Sequence, residues 1–251
     1  MAASSLTAED RRSLSIQRWV GRITAPLWVP VCVAIMHLGF RWRIRGAAEA
    51  RREFRRLRSE SDAPILICAN HLTMLDSFAI ACALGSTWTY ITDYGALAWN
   101  TPDREHFAGT WWKRALVYMM KCVPLDRGGD RRAVGNTLNR ILYMLSKGEV
   151  ALVFPEGGRS RKSRVDTEAV TYGVGRLVKN LPGCRVLCVY LRGDGQKFWT
   201  DTPARGEQFE IRVRSFEPKT DQRGMRASVD ISSQVLHQLA EMEQEYFDGR
   251  Q

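Results

Sequence analysis

The chain has 251 residues, enough for one α/β domain with a sizeable core and a short appendage. Its formal charge of +10, from 37 Lys and Arg against 27 Asp and Glu, favours anionic partners such as an acidic membrane surface or phosphorylated substrates. No segment resembles a nucleic-acid-binding module, and the six cysteines sit in apolar stretches without metal-type clustering, as reduced packing residues do.

Residues 1–15 are polar and expected to fray, with no cleavable-signal pattern. Residues 23–40 form an apolar stretch near the lower length limit for a spanning helix, but it contains Pro26, Pro30 and His37. Arg18 and Arg22 precede it, and Arg41, Arg43 and Arg45 follow. Charges at both ends and prolines inside favour a helical segment lying in a membrane interface; a true span and a plain core helix are the alternatives. The expected division is therefore a membrane-associating segment over 1–40 and a folded domain over 41–251, with deletion of 1–40 releasing the protein from membranes.

Phe40–Gly46 alternates apolar and basic residues, as a strand with one wet face does. Residues 47–58 read as a basic helix. Pro64 to Ala69 is a buried strand signal, and 76–84 a helix that Gly85 ends. Thr87–Thr92, rich in β-branched and aromatic residues, is a strand candidate. Residues 94–121 carry Tyr94, Trp99, Phe107, Trp111, Trp112 and Tyr118, for which core packing is the default, and a lipid boundary or the lining of an acyl channel the alternatives for Trp111 and Trp112. His106 in this region reads as structural. Asp130 is placed to cap a helix running to Lys147, and Gly148 to end it. A strand over 149–154, a helix over 168–180, strands over 185–191 and 207–215, and a polar helix over 228–247 complete the chain.

Two corners carry chemistry. In Asn70-His71-Leu72-Thr73-Met74-Leu75-Asp76, the five-residue separation of His71 and Asp76 would put them on different faces of a helix. They can meet if His71 lies in the turn and Asp76 in the first helical turn, where the carboxylate would orient the imidazole as a base. A buried histidine with a satisfied hydrogen bond beside a helix-capping Asp fits the same residues. The second corner, Phe154-Pro155-Glu156-Gly157-Gly158-Arg159-Ser160, follows a strand and precedes Arg161, Lys162 and Arg164. A Gly-rich turn with clustered guanidinium groups suits a phosphate or another oxyanion, or is an ordinary solvated turn.

Together the two corners resemble the N-H-(four residues)-D and F-P-E-G-T-R-S motifs of the glycerolipid acyltransferase family, which includes 1-acylglycerol-3-phosphate and other lysophospholipid acyltransferases. Val123-Pro124-Leu125-Asp126-Arg127 resembles its arginine-bearing middle block. Gly158 stands where the family has threonine, and the strand at 185–191 lacks the proline of the family's fourth block. The resemblance implies an α/β fold with a central, mostly parallel or mixed sheet flanked by helices. It also implies acyl transfer from acyl-CoA or acyl carrier protein to a lysophospholipid hydroxyl, foremost that of 1-acylglycerol-3-phosphate to give phosphatidic acid, without metal or cofactor, on the cytoplasmic face of an anionic membrane and without nucleic acid. His71 and Asp76 would be catalytic. Arg127, Glu156, Gly157, Gly158, Arg159 and Ser160 would bind the acceptor, with Glu156 ordering the turn or meeting acceptor hydroxyls. Competing readings are the same chemistry on glycerol-3-phosphate, a lyso-amino-acid lipid or a specialised lipid, a non-catalytic protein that binds anionic membranes, and a nucleic-acid binder.

Overall fold

The structure, a computed structural model, describes residues 6–104, 110–125, 130–200 and 202–250. Its centre is a six-stranded mixed sheet of β1 (Arg43–Arg45), β2 (Ile65–Ala69), β3 (Trp99–Asn100), β4 (Ala151–Val153), β5 (Arg185–Gly193) and β6 (Gln208–Phe216), in the order β1-β6-β5-β2-β4-β3. All neighbours are parallel except β5 and β6. The expected α/β class and mixed sheet are therefore what the chain adopts.

Every residue of β2, β4 and β5 is buried, as expected of strands covered on both faces. Side chains alternate between two cores. Leu66, Cys68, Ala151 and Val153 face one core, built with α6 (Arg131–Leu145), α7 (Tyr172–Lys179) and α8 (Gly224–Asp248). Ile65, Ile67, Ala69 and Leu152 face the other, built with α1 (Ala8–Ala34), α2 (Ala47–Glu60), α3 (Asp76–Leu84) and α4 (Thr87–Thr92). The remaining helix, α5 (Trp111–Met119), packs against α1.

The N-terminal segment differs from the expectation. Residues 8–15 are helical, because Thr7 caps α1 by accepting the Asp10 N–H (3.1 Å) and Leu14 is buried. The helix runs through Pro26 and Pro30 and then loosens into a π-helical stretch, Ile35–Phe40. One stripe (Leu14, Gln17, Gly21, Ala25, Val29) is buried against the domain, while Ile23, Leu27 and Val31 on the far side are 57–75 % exposed. Gln17 donates to the carbonyls of Tyr118 and Cys122. Arg18 bonds the buried Glu149, which also receives Lys121 (2.5 Å) and the Trp99 indole (3.1 Å). Burial lowers the Lys121 ammonium to about 8. Burial alone would raise the Glu149 carboxyl, but Lys121 and Arg18 outweigh it and hold the carboxyl below its usual range. Gly21 sits where a Cβ would come within 2.0 Å of the Tyr94 hydroxyl. A cut at residue 40 therefore removes core residues, and the truncated chain is expected to unfold rather than to be released intact.

Thr87–Thr92 is helical, not a strand. Ser86 and Thr89 form a reciprocal capping box, and α1 packs on the short helix. The helix expected over 168–180 is shorter, Tyr172–Lys179, because residues 168–170 are not helical and Thr171 takes the extended N-cap position. The strand expected over 40–46 is confined to β1, since Arg41 takes a left-handed conformation (φ 58°) that ends the preceding helical turn. Tyr94 and Trp99 are buried, whereas Trp111 and Trp112 are exposed. Phe107 and His106 lie outside the described residues.

Candidate active site

β2 and β4 are parallel neighbours in register, with Leu66 opposite Ala151 and Cys68 opposite Val153. Their carboxyl ends therefore stop at one level, and both motifs leave the sheet side by side, where open α/β sheets place ligands. That is how residues so far apart in sequence come into contact. The His71 N–H donates to Glu156 Oε1 (3.3 Å), and the Ser160 N–H donates to the His71 carbonyl (2.9 Å).

The first corner is tightly built. Asn70 extends β2 by a two-way amide pair with Leu191 of β5, at 3.0 and 2.8 Å. His71 follows in the turn, and Asp76 opens α3. His71 Nδ1 lies 3.0 Å from Asp76 Oδ2. The same oxygen accepts the N–H groups of Leu72 (2.6 Å) and Thr73 (2.8 Å), while Oδ1 accepts the Thr73 hydroxyl (2.6 Å). A carboxylate facing so many donors acts only as an acceptor, so the ring proton belongs on Nδ1 and the Nε2 lone pair is left free to accept a proton. Phe154, the last residue before Pro155, stacks on the imidazole with centroids 3.9 Å apart and planes 15° from parallel. A hydrogen bond and a stacking face thus fix both the ring's tautomer and its tilt.

The second corner is looser. Gly157 takes φ +70° and gives its N–H to the Phe154 carbonyl (3.0 Å), so that amide is occupied within the turn. The positive φ is what glycine supplies here. Gly158 follows in the same turn. Pro155 is fastened by the Thr171 hydroxyl (2.8 Å). Glu156 uses Oε1 toward His71, but its buried Oε2 has no hydrogen-bond partner among the described residues. Burial pushes this carboxyl up to about 7, against the opposing pull of the His71 N–H. The Arg159 guanidinium lies over the Trp199 ring (4.8 Å) and donates to the Thr200 carbonyl (3.4 Å). Thr200 in turn donates its N–H to Leu72, on the first corner (3.1 Å).

His71 and Arg159 both line a cavity of about 400 Å³. The rest of its wall is overwhelmingly apolar and comes from several helices: Ile35 of the α1 extension, Phe78 and Leu84 of α3, Tyr90 of α4, and Trp112 and Leu116 of α5. Its few polar lining groups include His71, Ser77, Asn100, Lys113 and Arg159, and a mostly apolar cleft with a small number of polar groups is the pattern of a site that binds an apolar ligand. No three His, Cys, Asp or Glu side chains among the described residues are grouped to hold a metal ion.

The sequence-derived site residues His71, Asp76, Glu156, Gly157, Gly158, Arg159 and Ser160 fall into one region; Arg127 lies outside the described residues. Sequence reasoning gave no role to Thr73, Phe154 or Trp199. Thr73 could have been found as a hydroxyl three residues before an acidic helix start, whereas Trp199 carries no local signal. Residues 43–192 match the family model described as Acyltransferase. Comparison with curated proteins found no match.

Proposed function

The chain belongs to the acyltransferase family, the glycerolipid acyltransferases, and from that premise we propose that it moves a fatty acyl group from a thioester to the free hydroxyl of 1-acylglycerol-3-phosphate, giving phosphatidic acid. One observation carries the reading: a carboxylate-held imidazole and Arg159 line the same largely apolar cavity. The cavity takes the acyl chain, Arg159 takes the phosphate, and the reacting atoms meet at His71.

The chemistry is direct transfer. His71 Nε2 takes the proton of the acceptor hydroxyl as its oxygen attacks the thioester carbonyl, and Asp76 holds the imidazolium that forms. The C–O ester bond forms as the C–S bond breaks, and the proton passes to the departing thiol of coenzyme A or acyl carrier protein. The acceptor supplies the nucleophile, so no acyl-enzyme is required. Glu156, whose buried second oxygen has no hydrogen-bond partner among the described residues and whose carboxyl is raised by burial to about 7, is proposed to order the turn beneath His71 or to meet an acceptor hydroxyl.

Support for membrane association comes from α1. The helix with its extension, Ala8–Phe40, is long and apolar enough to cross a bilayer. Its inner stripe instead lies along the domain while its outer stripe, with Trp111 and Trp112 of the neighbouring α5, is apolar and exposed. Such a one-sided surface suits burial in a lipid interface on which acceptor and product both reside.

The test is to supply purified protein in anionic vesicles with an acyl-CoA and 1-acylglycerol-3-phosphate, and to measure thiol and lipid product together. Stoichiometric phosphatidic acid and free thiol are expected. Transfer confined to acceptors without a phosphate, or thiol release without a lipid product, would overturn the proposal. The vesicle-binding arm uses Leu27→Asp, which is expected to lower cosedimentation; unchanged binding would remove α1 as the contact.

A further inference from the structure

The region matching the family model ends at residue 192, yet the anion turn is fastened from beyond it, by the last helix. Glu243 of α8 is buried, and its carboxylate is directed at the segment that follows Ser160. It accepts Arg164 Nε (2.8 Å) and the Val165 N–H (3.1 Å) on Oε2, and the Tyr190 hydroxyl (3.2 Å) on Oε1. Arg192 of β5 approaches the same carboxylate at 3.9 Å and donates to the Ser163 carbonyl at 2.7 Å. Ser163 holds a left-handed conformation, φ 55°, which a non-glycine residue keeps only where its surroundings enforce it. Phe247, one turn further along α8, lies under both guanidinium groups, at 4.2 Å from Arg164 and 5.0 Å from Arg192.

From Glu243 a continuous path of hydrogen bonds reaches the catalytic corner. Arg164, held by Glu243, offers its carbonyl to the Ser160 hydroxyl, and the Ser160 N–H donates to the His71 carbonyl. Arg159, the phosphate ligand of the proposed mechanism, is the residue before Ser160. The seating of α8 does not rest on this carboxylate, because Ile231, Val235, Leu239 and Met242 bury an apolar stripe of their own. The carboxylate instead joins the turn, through Arg164 and the Val165 N–H, to Tyr190 and Arg192 of β5.

We infer that Glu243 is a positioning residue for acceptor binding: it clamps residues 160–165 against β5 so that Arg159 is presented beside His71. The inference rests on the acyl-transfer reading for its kinetic arm alone. Two measurements test it. In Glu243→Gln, loss of charge-assisted bonds is expected to raise the KM for 1-acylglycerol-3-phosphate about tenfold or more while leaving the acyl-CoA KM within about twofold. Arg164→Ala, which breaks the clamp from its exposed side, is expected to do the same, and Tyr190→Phe, which removes a Glu243 partner outside the turn, to do neither. Equal changes in both KM values, or a Tyr190→Phe effect as large as that of Glu243→Gln, would overturn the inference.

The second measurement needs no substrate. Arg161, Lys162 and Arg164 make the turn a trypsin target, and release of the clamp is expected to speed cleavage there about tenfold, with far-ultraviolet circular dichroism unchanged. An unchanged cleavage rate would show that Glu243 does not hold the turn. Should the wild-type protein transfer no acyl group to this acceptor, the functional reading falls while trypsin still decides the clamp.

Discussion

The two corners of the site are built to opposite standards. At the first, Asp76 meets three backbone or side-chain partners besides the imidazole, and Phe154 closes one face of the ring. At the second, a buried carboxylate oxygen and the buried Ser163 hydroxyl have no hydrogen-bond partner among the described residues, and the turn passes through a strained serine. The difference fits the tasks proposed for them. A general base must already be aligned when its substrate arrives, since misalignment costs rate directly. A headgroup pocket can keep unsatisfied polar atoms, because the ligand supplies the missing partners and binding recovers part of the cost of leaving them buried.

The largest expected effect is at the finished corner. His71→Ala should lower kcat about 10²–10⁴-fold with the fold intact by circular dichroism, and a retained rate would remove it as the base. Asp76→Asn should lower kcat by about 10²-fold, through a disturbed tautomer. It should also cost about 1–3 kcal/mol of stability, because the donors of Leu72 and Thr73 lose a charged acceptor. A variant that lost stability at an unchanged rate would leave Asp76 a capping role only.

At the unfinished corner the effects should be smaller and of another kind. Arg159→Ala should raise the acceptor KM about tenfold or more with little change in donor KM. Equal effects on both would refute a phosphate role. Glu156 gives the smallest signal and shows it without substrate. Its folded carboxyl is raised from 4.5 to about 7, so the folded state binds more protons in that window and stability should fall as pH rises through it. The loss is complete above about pH 7 and amounts to about 3 kcal/mol at most. Glu156→Gln should flatten that slope in denaturant titrations at successive pH values; an unchanged slope would show that the carboxyl is not held near neutrality.

What the sequence made legible follows the same division. The β2 strand and the α3 start were readable because a fully apolar run and an acidic helix start are local signals, and with them came the geometry of His71 and Asp76. Thr87–Thr92 was misread because its Thr, Trp, Tyr and Ile favour strands by composition, whereas Ser86 capping and packing against α1 decide the outcome. The start of α1 was missed although Thr7 followed by Glu9 and Asp10 is a helix-entry signal. The contacts of Trp199 with Arg159, and of Glu243 with Arg164, depend on loop and helix placement far along the chain. No spacing in the sequence announces them.

Gly21 governs more than the packing of one helix. A methyl group there would collide with Tyr94, whose hydroxyl reaches past α1 to the Met119 carbonyl (2.6 Å). The same helix and its π-helical extension carry Cys32 and Ile35 into the wall of the apolar chamber, which Met120, next to the bonded carbonyl, also lines. A bulkier residue at position 21 would act as a wedge between α1 and the Tyr94–Met119 contact, and its strain would be delivered to the chamber wall through both.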